Sequence, residues 1–438
     1  MGSTPRRVVI TGMGIVSPLG NTIEEFWGAL ATGRSGVGPL TSVPPNALPV
    51  SFAAEAGGFQ GNIEDFGPLE KDLKKSIRKA LKVLCRESQM GVASAQLALA
   101  DSAISPGQYD PTRIGISFGA DYMLTVPEEF TEGVLQCLDE EGRFEFSRWA
   151  TDGMPKMSPL WLLKYLPNMP ASHLAIFNDL RGPNNSLTLR EAAANLAVGE
   201  AYQIIVRGSA DVMVAGATGS RLHPMKMVHA VQQEELATPN GDPTRASRPF
   251  DRDRSGMVLG EGAGTVVLEE LASAEARAAT IYGEVVGAAS SSVVGRNLVA
   301  RRDQALVNVM RAVMQRTGAT ADEIGHVHAH GLSTRSCDAE EARAIDQIFA
   351  TRGERLPVVA AKSYFGNLGA GSGMVELIAS LLALEHDRLF PILNYETPDP
   401  ECPVAAVTDG TTGSGNSFVN LSVTPQGQAS ALMVRRFR

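Results

Sequence analysis

RRVVITGMGIVSPLGNTIEEFWGALATGRSGV, residues 6–37, decides the fold class, because a strand pattern gives way to a helix pattern within it. Val8–Thr11 is a β-branched run that ends at Gly12 and reads as a buried strand. Asn21 reads as a helix cap, with Glu24 three residues on as its capping-box partner. Ile23, Phe26, Trp27 and Leu30 then recur at helical spacing and make one apolar face. Gly12 and Gly14 suggest a nucleotide-binding turn. The third glycine of that fingerprint is absent and the next helix brings its own cap, so no dinucleotide site is expected.

The alternation continues outward. Ile114–Phe118, Val212–Ala215, Thr265–Leu268, Ile281–Val286, His326–Ala329, Val358–Ala361 and Ala429–Val434 read as strands. Glu191–Arg207, rich in alanine, reads as a buried helix; Ala305–Met314 and Met374–Leu384 are also helical. Residues 236–250, with Pro239, Gly241, Pro243 and Pro249, read as an irregular loop. Such alternation implies an α/β fold with largely parallel sheets. The order of elements in 8–30 echoes 281–314, and 191–215 echoes 374–390, although the sequences themselves are barely similar.

The 438 residues are 44% hydrophobic and 20% charged, which suits two or three domain-sized units. A net charge of -9 disfavours a nucleic-acid partner. Lys71, Lys74, Lys75, Arg78 and Lys79 form the densest basic group, either a solvated helix face or a landing site for an acidic carrier. Cys85, Cys137, Cys337 and Cys402 are far apart and suggest neither disulfides nor a cysteine zinc site. MGSTPRRVVITGMG lacks a signal-peptide apolar run, and Met374–Leu384 is interrupted by Glu376 and too short to span a bilayer. A cytoplasmic protein without membrane association is expected.

Five stretches carry a resemblance: residues 6–37, PNMPASHLAIFNDLRGPNNS (167–186), ADVMVAGAT (210–218), ASRPFDRDRSGMVLGEGAGTVVLEEL (246–271) and AHGLST (329–334). Together they resemble the β-ketoacyl-ACP synthases of the elongating bacterial type. The resemblance implies a thiolase-like, five-layered αβαβα fold of two related halves, 1–265 and 266–438, usually dimeric. It implies an acyl carrier protein as partner, its phosphopantetheine as substrate carrier, and no bound cofactor or metal. Such enzymes take the acyl group on a cysteine at a buried helix N-terminus. Two histidines, or a histidine and an asparagine in a related branch, then stabilise the enolate from malonyl decarboxylation.

Measured against that pattern, the reaction centre departs in three places. The family's G-P-N-x-S-x-S-T-A-C reads GPNNSLTLRE from Gly182, so Glu191 stands at the nucleophile position after Arg190. An acyl-glutamate would be an anhydride, formed uphill from a thioester. At a helix N-terminus Glu191 should be ionised. It is either a capping carboxylate, paired with Arg190 or backbone amides, or a functional group. KSYFGN keeps Lys362 and puts Asn367 where the second histidine belongs; asparagine donates a hydrogen bond but carries no proton. SVTPQGQ, residues 422–428, replaces a glycine-rich loop that donates to the oxyanion hole, and Pro425 has no N–H to give.

Other positions are kept. His330 matches the first histidine, with Leu332 and Thr334 at the two pantetheine-binding hydroxyl positions; only Thr334 retains a hydroxyl. His326, His328 and His330 would share a strand face, but the nearest carboxylates, Glu323 and Asp338, fall outside the strand, so no metal site is expected and His326 and His328 read as packed strand residues. Cys337, beside the retained Asp338, has no helix N-terminus ahead of it and reads as a small buried residue. Asp251, Asp253, Arg254, Glu261 and Glu376 match as supporting ion-pair and hydrogen-bond residues. The pattern points to a non-condensing protein like a polyketide chain-length factor, as a homodimer or with a cysteine-bearing ketosynthase. The alternatives are a malonyl-ACP decarboxylase, and a 3-oxoacyl-ACP synthase or acyltransferase with an atypical mechanism.

Overall fold

The structure is a computed structural model that describes residues 6–44, 47–238 and 241–437. Pro239 of the expected 236–250 loop lies outside the described residues, as do residues 1–5 of the N-terminal stretch. The strands are β1 (Val8–Val16), β2 (Gly38–Pro39), β3 (Phe52–Ala53), β4 (Ile114–Ala120), β5 (Asn184–Thr188), β6 (Val212–Ser220) and β7 (Glu261–Glu270). They continue with β8 (Gly283–Ser292), β9 (His326–His328), β10 (Pro357–Val359), β11 (Ala405–Ala406), β12 (Ser417–Val423) and β13 (Gln428–Arg435). The helices are α1 (Ile23–Thr32), α2 (Lys71–Ala80), α3 (Arg86–Asp101), α4 (Glu128–Gln136), α5 (Trp161–Lys164), α6 (Met169–Asn178) and α7 (Ala193–Val206). They continue with α8 (Pro224–Gln233), α9 (Leu271–Ala276), α10 (Arg302–Thr317), α11 (Arg335–Phe349), α12 (Lys362–Phe365) and α13 (Ser372–Glu385).

Apart from the small β2–β3 pair, the described strands form one sheet in the order β11-β10-β9-β12-β13-β8-β1-β7-β6-β4-β5. It contains one strand order twice. In β5-β4-β6-β7-β1 the first three strands run parallel and the last two pairings are antiparallel. β10-β9-β12-β13-β8 repeats that order and those directions, with β11 added at its edge. The two units meet where Val8–Ile10 of β1 pair with Gly283–Val285 of β8. The sheet is therefore mixed, which corrects the expectation of largely parallel sheets. Each unit ends in an antiparallel return, and that topology needs no crossover helix. Residue 265 lies inside β7, which pairs along its whole length within the first unit, so the strand is not divided between halves.

The layers follow from which helices face which strands. α3 covers β1, β6 and β7, and α10 covers the matching strands β8, β12 and β13. The echo of 8–30 in 281–314 thus holds for the strands, while α3 rather than α1 is the counterpart of α10. α7 and α13 pack on each other between the two units, α7 touching β4 and β6 on one side and β8 and β13 on the other. The burial expected of the 191–207 helix is found, with four alanines of α7 buried, and α13, expected only to be helical, is buried as well, every residue from Ser372 to Leu384 being inaccessible.

β1 continues through Gly12 and Gly14 without a turn, with only a register shift against β7 between Ile10 and Gly12. A Cβ at Gly12 would lie 2.4 Å from the Ala98 carbonyl, and one at Gly14 2.1 Å from that of Ser94. The glycines let α3 lie against the strand, which removes the nucleotide-turn reading. The cap of α1 is Thr22, one residue after the expected Asn21; its Oγ1 accepts from Glu25 N–H, while Glu25 accepts from Asn21 N–H. Phe26, Trp27 and Leu30 are buried as the periodicity implied, and Ile23 is partly buried against the same core.

Candidate functional site

A short 3-10 turn, Arg190–Ala192, links β5 to α7, and Arg190 sits there in the left-handed region at φ 49°. Glu191, only 1% exposed, follows it beneath the end of α7. Its Oε1 accepts 3.1 Å from Asn367 Nδ2 and lies 3.9 Å from Arg221 Nη2; its Oε2 lies 3.4 Å from Arg190 Nε. Arg190 and Arg221 both also donate to Glu234, at 2.9 and 2.6 Å. Two carboxylates and two guanidiniums thus close a ring. Burial pushes the Glu191 carboxyl up, but Arg190, Arg221 and the Asn367 hydrogen bond outweigh it and hold the carboxyl at about 2. The described contacts hold Glu191 by side chains, so of the two expected partners, Arg190 or backbone amides, it is Arg190 that is found.

Asn367 is oriented for this contact. Its Oδ1 accepts from Gly369 N–H and from Ser372 Oγ, so its amide nitrogen must face Glu191. Asn367 also bridges backbones, its N–H going to Val258 O and its carbonyl accepting from Gly260 N–H.

A second cluster lies beside the first. Lys362 is buried and donates to Glu376, to the His330 carbonyl at 2.8 Å and to His330 Nδ1 at 3.2 Å, using all three of its N–H bonds. Because Nδ1 accepts, the neutral imidazole carries its proton on Nε2. Burial first, then the Lys362 ammonium, pushes His330 well below its usual range, so it is neutral. Glu341 accepts from the N–H groups of His330 and Gly331 at 2.6 and 2.8 Å and fixes that backbone; burial pushes its carboxyl up to about 8.

The remaining expected residues fall into support roles or stand apart. Thr334 is 5% exposed at the N-cap of α11, its Oγ1 has no hydrogen-bond partner, and its carbonyl accepts from Arg254. Asp338 accepts from the N–H groups of Phe250, Leu332 and Ser333. Glu261 is occupied by Arg86, Ser220 and Ala56 N–H, and does not touch Glu191. Asp251 and Arg254 are buried hydrogen-bond hubs as expected; Asp253 is exposed and pairs only with Arg252 at the surface. His328 accepts from Ala361 N–H, and Ser380 Oγ lies between His328 and His326, so both rings are packed and hydrogen-bonded. Among the described residues no group of three or more His, Cys, Asp or Glu is placed to hold a metal ion. Ser422–Gln428 spans the end of β12, the start of β13 and the tight turn between them, in which Gly427 N–H donates to Thr424 O.

No cysteine takes the thiolate role. Cys337 does lie in the first turn of α11, contrary to the expectation that no helix start accompanies it. Even so, burial and the neighbouring carboxylates raise its thiol well above the usual value. Burial pushes Cys85 up to about 11 and Cys402 up to about 12. The sequence reading missed Arg221 and Glu234, which complete the ring, and Asp121, a buried carboxylate with one unpartnered oxygen. They come from the loop after β6, the end of α8 and the end of β4, and no local motif marks them.

Two units of one strand order clamped on a shared pair of buried helices, with a polar centre at the start of one of them, define a ketosynthase-type thiolase fold. The chain belongs to the β-ketoacyl synthase family: the N-terminal domain of that family matches residues 5–274 and the C-terminal domain residues 282–396. It is 32% identical over 399 residues to the 3-oxoacyl-[acyl-carrier-protein] synthase 2 of Synechocystis, covering 91% of this chain and 90% of that one. The Coxiella burnetii protein of the same name is 34% identical over 401 residues, again covering 91% and 90%. Among solved structures, the ishigamide ketosynthase/chain length factor superposes with a TM-score of 0.83 at 26% identity, covering 99% of this chain and 100% of that chain.

Proposed function

We propose that this chain is a non-condensing β-ketoacyl synthase homologue that works as a chain-length-factor-like partner of a cysteine-bearing ketosynthase. It acts in the cytoplasm on chains carried by the phosphopantetheine of an acyl carrier protein, with no nucleic-acid partner. The observation that carries this reading is Glu191, which lies where the resemblance puts the acyl-accepting cysteine. It is buried, ionised and locked among Arg190, Arg221 and Asn367. A carboxylate so held offers no acyl acceptor, and Asn367, spent on Glu191, is not free to hold an enolate. The relatedness to 3-oxoacyl-[acyl-carrier-protein] synthases supports the carrier. So does the exposed face of Lys71, Lys75, Arg78 and Lys79 on α2, a surface suited to an acidic carrier; Lys74 beside them pairs with Glu64 at 3.2 Å.

One observation favours a second reading, malonyl-ACP decarboxylation. Arg190 and Arg221 balance Glu191 and Glu234, so the ring does not present the net negative charge that would repel a malonyl carboxylate. The neutral His330 also keeps an Nε2 proton that can be donated to an enolate.

Intact-mass analysis after incubation with acyl-ACP or acyl-CoA should show no acyl adduct on the wild-type chain; a stable adduct sinks the proposal. Carbon dioxide release from malonyl-ACP should rise in Glu191→Gln, which leaves two guanidiniums facing one carboxylate. Glu191→Cys should not condense, because Asn367 and the Ser422–Gln428 turn remain. Decarboxylation by wild type that disappears in Glu191→Gln would make Glu191 a catalytic group and put the second reading first.

A further inference from the structure

The second unit holds two adjoining cavities away from the Glu191 centre. The larger, about 800 Å³, opens at the end of the sheet where β9, β10 and β12 begin, whereas His330 follows the other end of β9. Five arginines and four carboxylates line it, a net positive surface on a chain whose net charge is -9. Glu284 is shared by Arg7 and Arg435, at 2.6 and 2.9 Å, so two guanidiniums meet one carboxylate. Glu323 is taken up by the N–H and hydroxyl of Thr320, at 2.7 and 2.9 Å, and Asp322 stands exposed on the rim. Arg436 pairs with Asp387 at 2.7 Å. Arg352 is held instead by neutral acceptors: its Nη1 donates to the carbonyls of Ala321 and Ile324, and its Nε to that of Glu354 at 3.2 Å. Among the described residues its Nη2 has no hydrogen-bond partner, and the exposed Arg355 side chain has neither a hydrogen bond nor an ion pair. The smaller cavity, about 270 Å³, shares Arg352, Glu354 and Arg355 with the first. It is otherwise mainly apolar, with Ile345, Phe349, Leu356 and Val404 in its wall.

We propose that the two cavities together bind a nucleoside diphosphate, with its diphosphate at Arg352 and Arg355, its ribose at Glu354 and its base in the smaller cavity. A guanidinium fixed by carbonyls keeps its whole charge, and guanidiniums match phosphate oxygens in pairs. The Glu354 carboxylate has no ion pair among the described residues, although it stands between the two arginines in the chain. It is left to accept from ribose hydroxyls, as acidic residues do in other nucleotide sites. Phe349, Leu356 and Val404 give a base an apolar wall. The larger cavity is within the roughly 300–1,000 Å³ usual for small-ligand sites. Inorganic diphosphate alone would leave Glu354 and the apolar cavity unused. No glycine-rich turn takes part, so this site is unrelated to Gly12 and Gly14. It also stands whether or not the chain pairs with a ketosynthase.

The test is isothermal titration calorimetry of the full chain with ADP, UDP, inorganic pyrophosphate and adenosine at low salt. ADP or UDP should bind one to one, at least about tenfold more tightly than pyrophosphate or adenosine, since only a nucleotide engages both cavities. Added salt should weaken that binding. Arg355→Gln should weaken nucleotide and pyrophosphate alike by about tenfold. Glu354→Gln should weaken the nucleotide and spare pyrophosphate. Arg355 is exposed and unpaired, so circular dichroism of its variant should match wild type. Lys75→Ala, on α2, should change nothing. No binding of ADP or UDP at millimolar concentration overturns the inference. So does nucleotide binding that ignores Arg355→Gln, or that Lys75→Ala weakens as much. Nucleotide binding no tighter than that of pyrophosphate takes ribose and base out of the site and overturns it too.

Discussion

At the scale of single residues, the ring around Glu191 decides what the centre can do, and its energetics can be measured. Glu191 is held at about 2 against a usual 4.5. A folded-state value below the unfolded one stabilises the fold at pH above 4.5, and that contribution is lost as pH falls from 4.5 through about 2. For a fully buried carboxylate a shift of this size is worth about 3 kcal/mol. Glu191→Gln should therefore be less stable than wild type by about 3 kcal/mol in urea denaturation at pH 7. The gap should shrink steadily below pH 4.5. A gap independent of pH would show that packing, not charge, holds Glu191. Glu191, Lys362, His330 and Asn367 were legible because each sits in a contiguous motif. Arg221 and Glu234 were not, because they reach Glu191 only through the packing of distant loops, and neither stands in a pattern that names its partner. Of the two contacts offered for Glu191, Arg190 or backbone amides, the Arg190 pairing is the one present, and Arg221 adds a second guanidinium that the sequence did not announce.

At the scale of elements, β1, β4, β6–β10 and β13 and the helices α1, α7, α10 and α13 followed from local patterns, while β5, β12, α3, α11 and the strand directions did not. Period-two and period-3.6 patterns are local, but whether β7 runs with or against β6 depends on the path between them. The glycines of β1 show the same limit. In the sequence they resemble a turn; in the fold they are the contact surface for α3. Gly14→Ala should then be strongly destabilising, because its Cβ would meet backbone atoms of Ser94 and Ala98 at 2.1 and 2.4 Å, and neither can move without shifting the helix. A loss of more than about 3 kcal/mol in equilibrium denaturation is expected. Gly57→Ala is the control, since nothing lies within 4 Å of its added methyl and its φ is not positive; it should change stability by less than about 1 kcal/mol. Equal effects at the two sites would mean that α3 does not rest on β1 through these glycines. The same contrast bears on function. A Gly12 or Gly14 needed for a ligand loop would alter binding before stability, and here stability should fall first.

At the scale of the whole molecule, two units of one topology share their interior rather than merely touch. The strand pairing between them is brief, Val8–Ile10 with Gly283–Val285, and on that count alone they could come apart. The helices argue otherwise. α7 faces strands of both units, α13 faces β6 and β7 on one side and β12 on the other, and all residues from Ser372 to Leu384 are inaccessible. Asn195 of α7 donates to Asn420 O, Asn420 of β12 donates back to Asn195 Oδ1, and Ser430 of β13 donates to Ala192 O. Removing the second unit would expose the inner face of α7 and leave these buried amides unpaired, each costing about 1–3 kcal/mol on top of the lost apolar burial. The chain should therefore unfold as one cooperative body although it holds two copies of one strand order. Scanning calorimetry should show a single transition whose calorimetric and van't Hoff enthalpies agree. Residues 6–276 expressed alone should stay unfolded or aggregate. Two resolved transitions, or a soluble first half with native-like near-ultraviolet circular dichroism, would mean that each unit completes its own core and that α7 and α13 are a seam. The Glu191 ring would then need a new account. Arg190, Glu191, Arg221 and Glu234 all come from the first unit and Asn367 from the second, so a separable first half would keep the ion pairs and lose only the amide that orients them.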